Sequence, residues 1–278
     1  MARIIVTGGN SGVGKATATA MAAAGHDVVI ACRSLAKGNE AAAAMPGNVA
    51  VRELDLADLA SVRRFADGVE SLDVLVNNAG VLGLPLTRTV DGFEAHMGTN
   101  HLGHFALTCL LGDRIRDRVV VVASTNYTTA RIHFDDLNYH HRRYSPFRAY
   151  GESKLANLLF VRQLVSRGFT AYASDPGMTD TAITRDGSRV LRWAGRTIAP
   201  HIAQSPSDGA RSTVQAVTTD LPNGTYLSPR GLMHQWGRPR PTKLKAKAVD
   251  DDSARRLWEL SEELTGCRWN GEPVHRDR

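Results

Sequence analysis

Three side chains in this sequence have the types and spacing to move a proton between a hydroxyl and a carbonyl. Tyr150 and Lys154 stand four residues apart in "YGESK", which puts both on one face of a helix. A free phenol titrates near 10, so proton exchange near neutrality needs a fall of about 2 to 3 pH units, or roughly 3 to 4 kcal/mol. One ammonium at about 4 Å in an effective dielectric near 20 is worth on the order of 4 kcal/mol. Lys154 alone is therefore expected to depress the Tyr150 phenol. Ser124 ends the apolar run Val119 to Ala123, and its hydroxyl can hold the substrate oxygen while the phenol acts as general acid toward a ketone or base toward an alcohol. A tyrosine and a lysine at this spacing are also an ordinary exposed helix face, so their surroundings decide.

A phosphate-binding loop opens the chain in "VTGGNSGVGKATA", Val6 to Ala18, and two kinds of loop fit. Gly9, Gly14 and Lys15 give most of a nucleotide-triphosphate loop, which next needs a hydroxyl for magnesium. Position 16 is alanine, and Thr17 lies about 100° further round the helix. Gly8, Gly12 and Gly14, with Asn10, Ser11 and Val13 between them, instead form a strand-to-helix turn for a dinucleotide pyrophosphate, stabilised by the helix N-terminus.

The elements that must position these groups alternate. Ile4 to Thr7, Asp27 to Cys32, Val49 to Leu54, Asp73 to Val76, Val119 to Ala123 and Phe169 to Ser174 are short apolar runs suited to strands buried on both faces. Helical stretches such as Lys15 to Ala24, Leu59 to Val69 and Lys154 to Leu164 fall between them. The expected fold class is α/β: one doubly wound Rossmann domain over residues 1–278, with a parallel sheet of about seven strands. Near the end, "DDDSARRLWELSEELTG" starts on capping aspartates and stops at Gly266, predicting a packing helix over about 251–265.

Ligands in such sheets bind beyond the carboxyl ends of the strands. After the second strand come Arg33 and Ser34, where an NAD-selective site carries an acid on the ribose; an arginine there suits a 2′-phosphate. After the third come Asp55 and Leu56, placed to touch adenine, with a helix N-cap as the alternative for Asp55. After the fourth, "NNAG" brings Asn78, Ala79 and Gly80 to the cofactor backbone or to a structural turn.

Composition narrows the classes. The chain has 278 residues, a net charge of +6 and 42% hydrophobic residues, enough to fill one core. Its basic residues are spread along the chain and not gathered on a recognition helix, which argues against nucleic acid. No run of eighteen apolar residues is present, and the first strand begins almost at Met1, so neither a membrane span nor a signal peptide is expected. Cys32, Cys109 and Cys267 lie far apart with no paired spacing, and the histidines, including His101, His104, His133, His140 and His141, never place three with a carboxylate. No metal and no disulfide framework are expected, and the protein is expected in the cytoplasm.

Together "TGGNSGVG", "NNAG", Asn100 in "TNHLGHF", Ser124, "YGESK" and "DPGMTDT" resemble a short-chain dehydrogenase/reductase, over nearly the whole chain to about Gly231. The resemblance implies a catalytic group of Ser124, Tyr150 and Lys154, with Asn100 assisting a proton relay through water and Lys154 also contacting the nicotinamide ribose. It assigns the glycine loop to a dinucleotide. Pro176, Gly177, Thr179 and Thr181 match the segment that meets the nicotinamide. With Arg33 beyond the second strand, NADP(H) is the expected cofactor. The chain is most similar to the retinol-dehydrogenase-like and protochlorophyllide-reductase-like branch, on the insert "RIHFDDLNYHHRRYSPFRAYGESKLANLLF" that sets Ser124 and Tyr150 26 positions apart. Two departures stand out: Ala123 where a second serine is common, and Asp175 where that branch usually shows histidine.

The function implied is NADPH-dependent interconversion of a ketone or aldehyde and an alcohol on a bulky hydrophobic small molecule, retinoid-, steroid- or polyketide-like, by a homo-oligomer, dimer or tetramer. A catalytically silent NADP(H)-binding sensor is the alternative; it expects a broken catalytic group, and all four positions are intact. A lid over the substrate is expected at about 178–205. There Arg185, Arg189, Arg192 and Arg196 recur at helical steps, either as a solvated face or as a stripe facing an acidic substrate or a protein partner.

Overall fold

The computed structural model describes residues 1–179, 204–231 and 234–269. The strands are β1 (Arg3–Thr7), β2 (Asp27–Cys32), β3 (Val49–Glu53), β4 (Leu72–Asn77), β5 (Ile115–Val122), β6 (Thr170–Ser174), β7 (Tyr226–Pro229) and β8 (Pro239–Pro241), the first five rich in valine and isoleucine. They make one sheet in the order β3-β2-β1-β4-β5-β6-β7-β8. The first seven are parallel and β8 is antiparallel to β7. The expected seven-stranded parallel sheet is thus present, with an eighth edge strand that the sequence hides. Pro239 and Pro241 cannot donate to a ladder, so they fit only an edge and erase the usual strand signal.

Seven helices among the described residues cover the sheet: α1 (Gly12–Ala23), α2 (Leu35–Ala43), α3 (Leu59–Asp67), α4 (Gly103–Leu111), α5 (Pro146–Ser166), α6 (Pro206–Thr218) and α7 (Asp251–Thr265). Alternate strand residues feed two cores, because successive side chains point to opposite faces. Ile4, Val6, Val74, Val76 and Val120 pack with Ala18 and Met21 of α1 and Ala216 of α6. Ile5, Leu75, Val119 and Val121 pack with Val62, Phe105, Leu159 and Leu257 of α3, α4, α5 and α7. Trp258 locks α7 down, with ring centroids 4.9 Å from Phe105 and 5.9 Å from Phe160. The helix expected at 251–265 has those bounds, capped by Asp250 and closed by Gly266 at φ 62°.

Two helices differ usefully from expectation. α5 begins at Pro146, well before Lys154, since a proline at the first helical turn costs no hydrogen bond. Tyr150 therefore sits inside a long rigid helix. Ahead of α4, the short α-turn Ala95–Met97 runs into a π-helical stretch, Gly98–Leu102, which holds Asn100. The sheet's winding reverses between β1 and β4, which opens the crevice where ligands bind in such folds. Thr181 and the four arginines of the expected lid stripe lie outside the described residues.

Candidate active site

The crevice is lined first by backbone. Gly8 and Gly12 have φ of +66° and +53°, which favours glycine. A Cβ on Gly14 would strike the Asn78 amide and the Gly8 carbonyl. Ser11 caps α1 without a side-chain bond, and the first turn carries no acid, so its amides stay open to an anion. Asn10 and Ser11 lie on this turn while Val13 is buried beneath it. These residues fit a pyrophosphate. Thr17 is fully buried, so its hydroxyl is closed to the magnesium ion that a triphosphate loop would need.

Thr7 ties this loop to the next one. Its Oγ1 accepts from the amides of Asn78 and Ala79, each at 2.9 Å, and the Asn78 carboxamide donates to the Thr7 carbonyl at 2.7 Å. "NNAG" is therefore a loop held onto β1. The same Oγ1 lies 2.8 Å from His104 Nε2, and His104 Nδ1 lies 3.0 Å from the Asn100 carbonyl. A carbonyl only accepts, so Nδ1 carries the proton and Nε2 accepts from Thr7. Burial keeps this imidazole neutral, down to about 4, against the pull of the Asn100 bond and with help from nearby Lys154.

The other cofactor candidates divide. Arg33 is exposed just past β2, and Ser34 caps α2, accepting from Lys37 N at 3.4 Å. Asp55 is not the cap of α3: Asp58 is, and Asp55 accepts from Ala57 N at 2.9 Å in its own tight turn. Asp58 is the acid one residue ahead of Leu59, where a cap must stand. Leu56 is buried, with its carbonyl against Gly103. Gly80 reaches furthest into the site; a Cβ there would stand 3.2 Å from Asn100 Oδ1 and 3.7 Å from Lys154 Nζ. On the opposite wall, Gly177 turns at φ +67° and the Thr179 hydroxyl donates to the Pro176 carbonyl at 2.9 Å.

The three residues with proton chemistry converge at the end of β5. Ser124 caps the short 3-10 turn Thr125–Thr129, and Tyr150 and Lys154 are buried beside it at 8% and 2% exposure. The Lys154 ammonium donates to the Val122 carbonyl at 2.9 Å and lies 5.6 Å from the centre of the Tyr150 ring. One expectation is reversed here. Burial pushes the phenol up, Asp175 pushes it further, and only the bond with Ser124 pulls it down. Lys154 does not supply the expected depression, because burial drives the amine itself down to about 8 and Val122 takes its hydrogen bond. Asn100 is likewise committed. Its carboxamide donates to Ser153 Oγ (2.9 Å) and the Val81 carbonyl (3.1 Å) and accepts from Val81 N (2.8 Å). Its main-chain carbonyl, already facing His104, has a second lone pair to offer a water.

A buried cluster that the sequence did not flag lies against the insert. Glu94 and His96 are fully buried, 2.7 Å apart, and burial's upward push on Glu94 is outweighed by bonds from His96 and the Met97 and His96 amides. The His96 ring stands edge-on to Tyr150, centroids 6.4 Å apart. Tyr144 of the insert donates to the Leu84 carbonyl at 2.9 Å and lies 3.2 Å from Glu94, while Arg142 pairs with Glu152 of α5 at 3.0 Å. The insert is thus stapled against the helix that carries Tyr150. Glu94 beside the start of a helical run was the available signal, since an acid there accepts from free amides.

The sequence profile of the short chain dehydrogenases matches residues 2–189. The chain belongs to that family. Mouse "Retinol dehydrogenase 12" is 41% identical over 286 residues, covering 96% of this chain and 87% of the relative. Human "Retinol dehydrogenase 11" is 38% identical over 283 residues, covering 95% and 85%. A solved structure of an uncharacterized protein from Mycobacterium Paratuberculosis is 44% identical, with a TM-score of 0.84 over 98% of this chain and 96% of that one. This short-chain dehydrogenase is an oxidoreductase of CH–OH and C=O groups with a nicotinamide cofactor, in the retinol-dehydrogenase-like branch.

Proposed function

We propose that the protein is an NADPH-dependent oxidoreductase that interconverts a ketone or aldehyde and an alcohol on a bulky hydrophobic small molecule, retinoid-, steroid- or polyketide-like. The observation that carries the proposal is the meeting of Ser124, Tyr150 and Lys154 with Gly80 of the cofactor-side loop. The retinol dehydrogenases among its relatives support an apolar substrate. Arg33, exposed past β2 with no acid beside it, supports NADPH, since a guanidinium matches a phosphate geometrically.

In this proposal Ser124 holds the substrate oxygen and Tyr150 gives it a proton on reduction or takes one on oxidation. The bound dinucleotide supplies or accepts the hydride. Lys154 orients the ribose and, with the Asn100 carbonyl, lines the route by which water restores the phenol proton. Three buried, unpaired cysteines suit a reducing compartment, and a cytoplasmic homo-oligomer belongs to the same proposal. Tyr150→Phe should retain NADPH affinity and lose turnover by about 10²-fold or more, read by nicotinamide absorbance on a carbonyl panel beside cofactor titration. Full turnover in that variant would mean that Tyr150 is not the proton donor.

A further inference from the structure

Asp175 closes β6, is 1% exposed, and has no role in the chemistry above. Its Oδ1 accepts from Gly177 N at 2.7 Å; its Oδ2 accepts from Thr125 N at 2.6 Å and from the Tyr226 hydroxyl at 2.8 Å. A main-chain donor on each oxygen suits the ionised, acceptor-only carboxylate. Those donors are not arbitrary. Thr125 follows Ser124, Gly177 follows Pro176 in the wall opposite the glycine loop, and Tyr226 belongs to β7. One buried charge therefore pins three segments that meet at the site.

Several ionisable groups also surround it. Tyr150 and Lys154 face Asp175 from α5, Tyr127 from the 3-10 turn and Tyr226 from β7. His96 faces the phenol from the other side, and His104 faces Lys154. Burial raises the Asp175 carboxyl, opposed by bonds from Gly177, Tyr226 and Thr125 and by the charge of Lys154. In return the carboxylate opposes phenolate formation at Tyr150 and favours the ammonium of Lys154. A carboxylate in low dielectric acts strongly on such neighbours.

We propose that Asp175 is a positioning residue that fixes Ser124 and the Pro176–Gly177 turn to one point and places a negative charge beside Tyr150, so that it governs the pH range in which the phenol exchanges its proton with substrate. This rests on the role given to Tyr150 above. In carbonyl reduction the phenol O–H bond breaks, its proton goes to the carbonyl oxygen and Tyr150 is left as phenolate. The carbonyl carbon would take a hydride from the reduced nicotinamide, so that ketone, NADPH and the phenol proton become alcohol and NADP⁺. In the reverse direction the phenolate takes that proton back, so the charge of Asp175 acts on the same state in both directions.

The test titrates the phenol directly in cofactor-free protein. Tyrosine difference absorbance is followed against pH in the parent chain and in Asp175→Asn, each with its Tyr150→Phe counterpart subtracted to isolate Tyr150. In Asp175→Asn the phenol midpoint should fall by about one pH unit or more, and the alkaline limb of alcohol oxidation should move down with it. Tyr226→Phe deletes one hydrogen bond but keeps the charge, so its midpoint should stay within about a few tenths of the parent's. A folded Asp175→Asn protein with an unmoved or raised midpoint would overturn the proposal, as would equal shifts in both variants. Should Asp175→Asn not fold, Asp175→His replaces it with the same expected fall. The titration needs no turnover, so full activity in Tyr150→Phe would refute the role of Tyr150 while leaving the charge of Asp175 separately measured.

Discussion

The first three strands and the four that follow them build their halves of the crevice from different materials. Up to Ser71, the buried polar side chains among the described residues are the hydroxyls of Thr7, Thr17 and Ser61. From Asn77 to Asp175 they include Glu94, His96, Asn100, His101, His104, Glu152, Lys154, Asn157 and Asp175. One half offers glycine turns and free amides, which need no ionised group in the interior. The other takes charges and imidazoles out of water, which is tolerable only where each finds partners. A dinucleotide's phosphates can be held by backbone because their charge never changes. A proton transfer needs side chains whose charge does.

If that contrast is sound, the cofactor half should fail sterically and the catalytic half by titration. The largest effect is expected from Gly14→Val, which forces carbon into the Gly8 carbonyl and the Asn78 amide. Cofactor affinity should fall by about 10³-fold, roughly 4 kcal/mol, by fluorescence titration on protein whose circular dichroism is intact. Retained affinity would show that the turn has slack.

Next comes acid stability. His104 is held down to about 4 and His101 to about 3, both by burial first, from the ordinary 6.5. Both folded values are depressed, so the unfolded chain binds protons first as pH falls. Stability present above about pH 6.5 should drain away toward pH 4, by on the order of 3 kcal/mol for His104 alone. Urea unfolding at several pH values checks this; His104→Gln should flatten the slope and leave only the His101 share. An unchanged slope would remove His104 from the account.

Arg33→Ala should be milder, raising the Michaelis constant for NADPH by about tenfold and that for NADH hardly at all. Equal effects on the two would sink the NADPH assignment. Smallest of all, Arg255→Ala on exposed α7 breaks pairs with Asp252 and Glu259, both 3.3 Å away. Such exposed pairs are screened by water and add little, so unfolding by urea should barely move.

The same division explains what could be read in advance. Glycine spacing, alternating apolar runs and the caps of α7 are local, and they gave the sheet order's building blocks, the loop at Gly8 to Gly14 and the Tyr150–Lys154 pair. The partners were not local. Asp175 meets Thr125 fifty positions away and Tyr226 fifty-one away, so the direction of the Tyr150 shift could not be found from the lysine four residues along. The sequence assigned His104 no role; its partners, Thr7 and the Asn100 carbonyl, come from a distant strand and from its own helix turn. Asp55 failed as a cap because Asp58, three residues on, stands directly before Leu59 and takes the Ala60 amide while Asp55 takes that of Ala57, and short acidic runs leave that choice to geometry. β8 was missed because its prolines mute the pattern that announces a strand.

The π-helical stretch Gly98–Leu102 also sets a rotational phase. Its hydrogen bonds span one residue more than those of the α-helix it leads into, and since each helical residue turns the chain by about 100°, a single deletion there would turn α4 by that angle about its axis. His104 would leave Thr7, and Phe105 would swing away from Trp258. Substitutions in this stretch can be graded by what each side chain touches, but a change in length cannot be absorbed by degrees. Chain length here is as constrained as residue identity is at Tyr150.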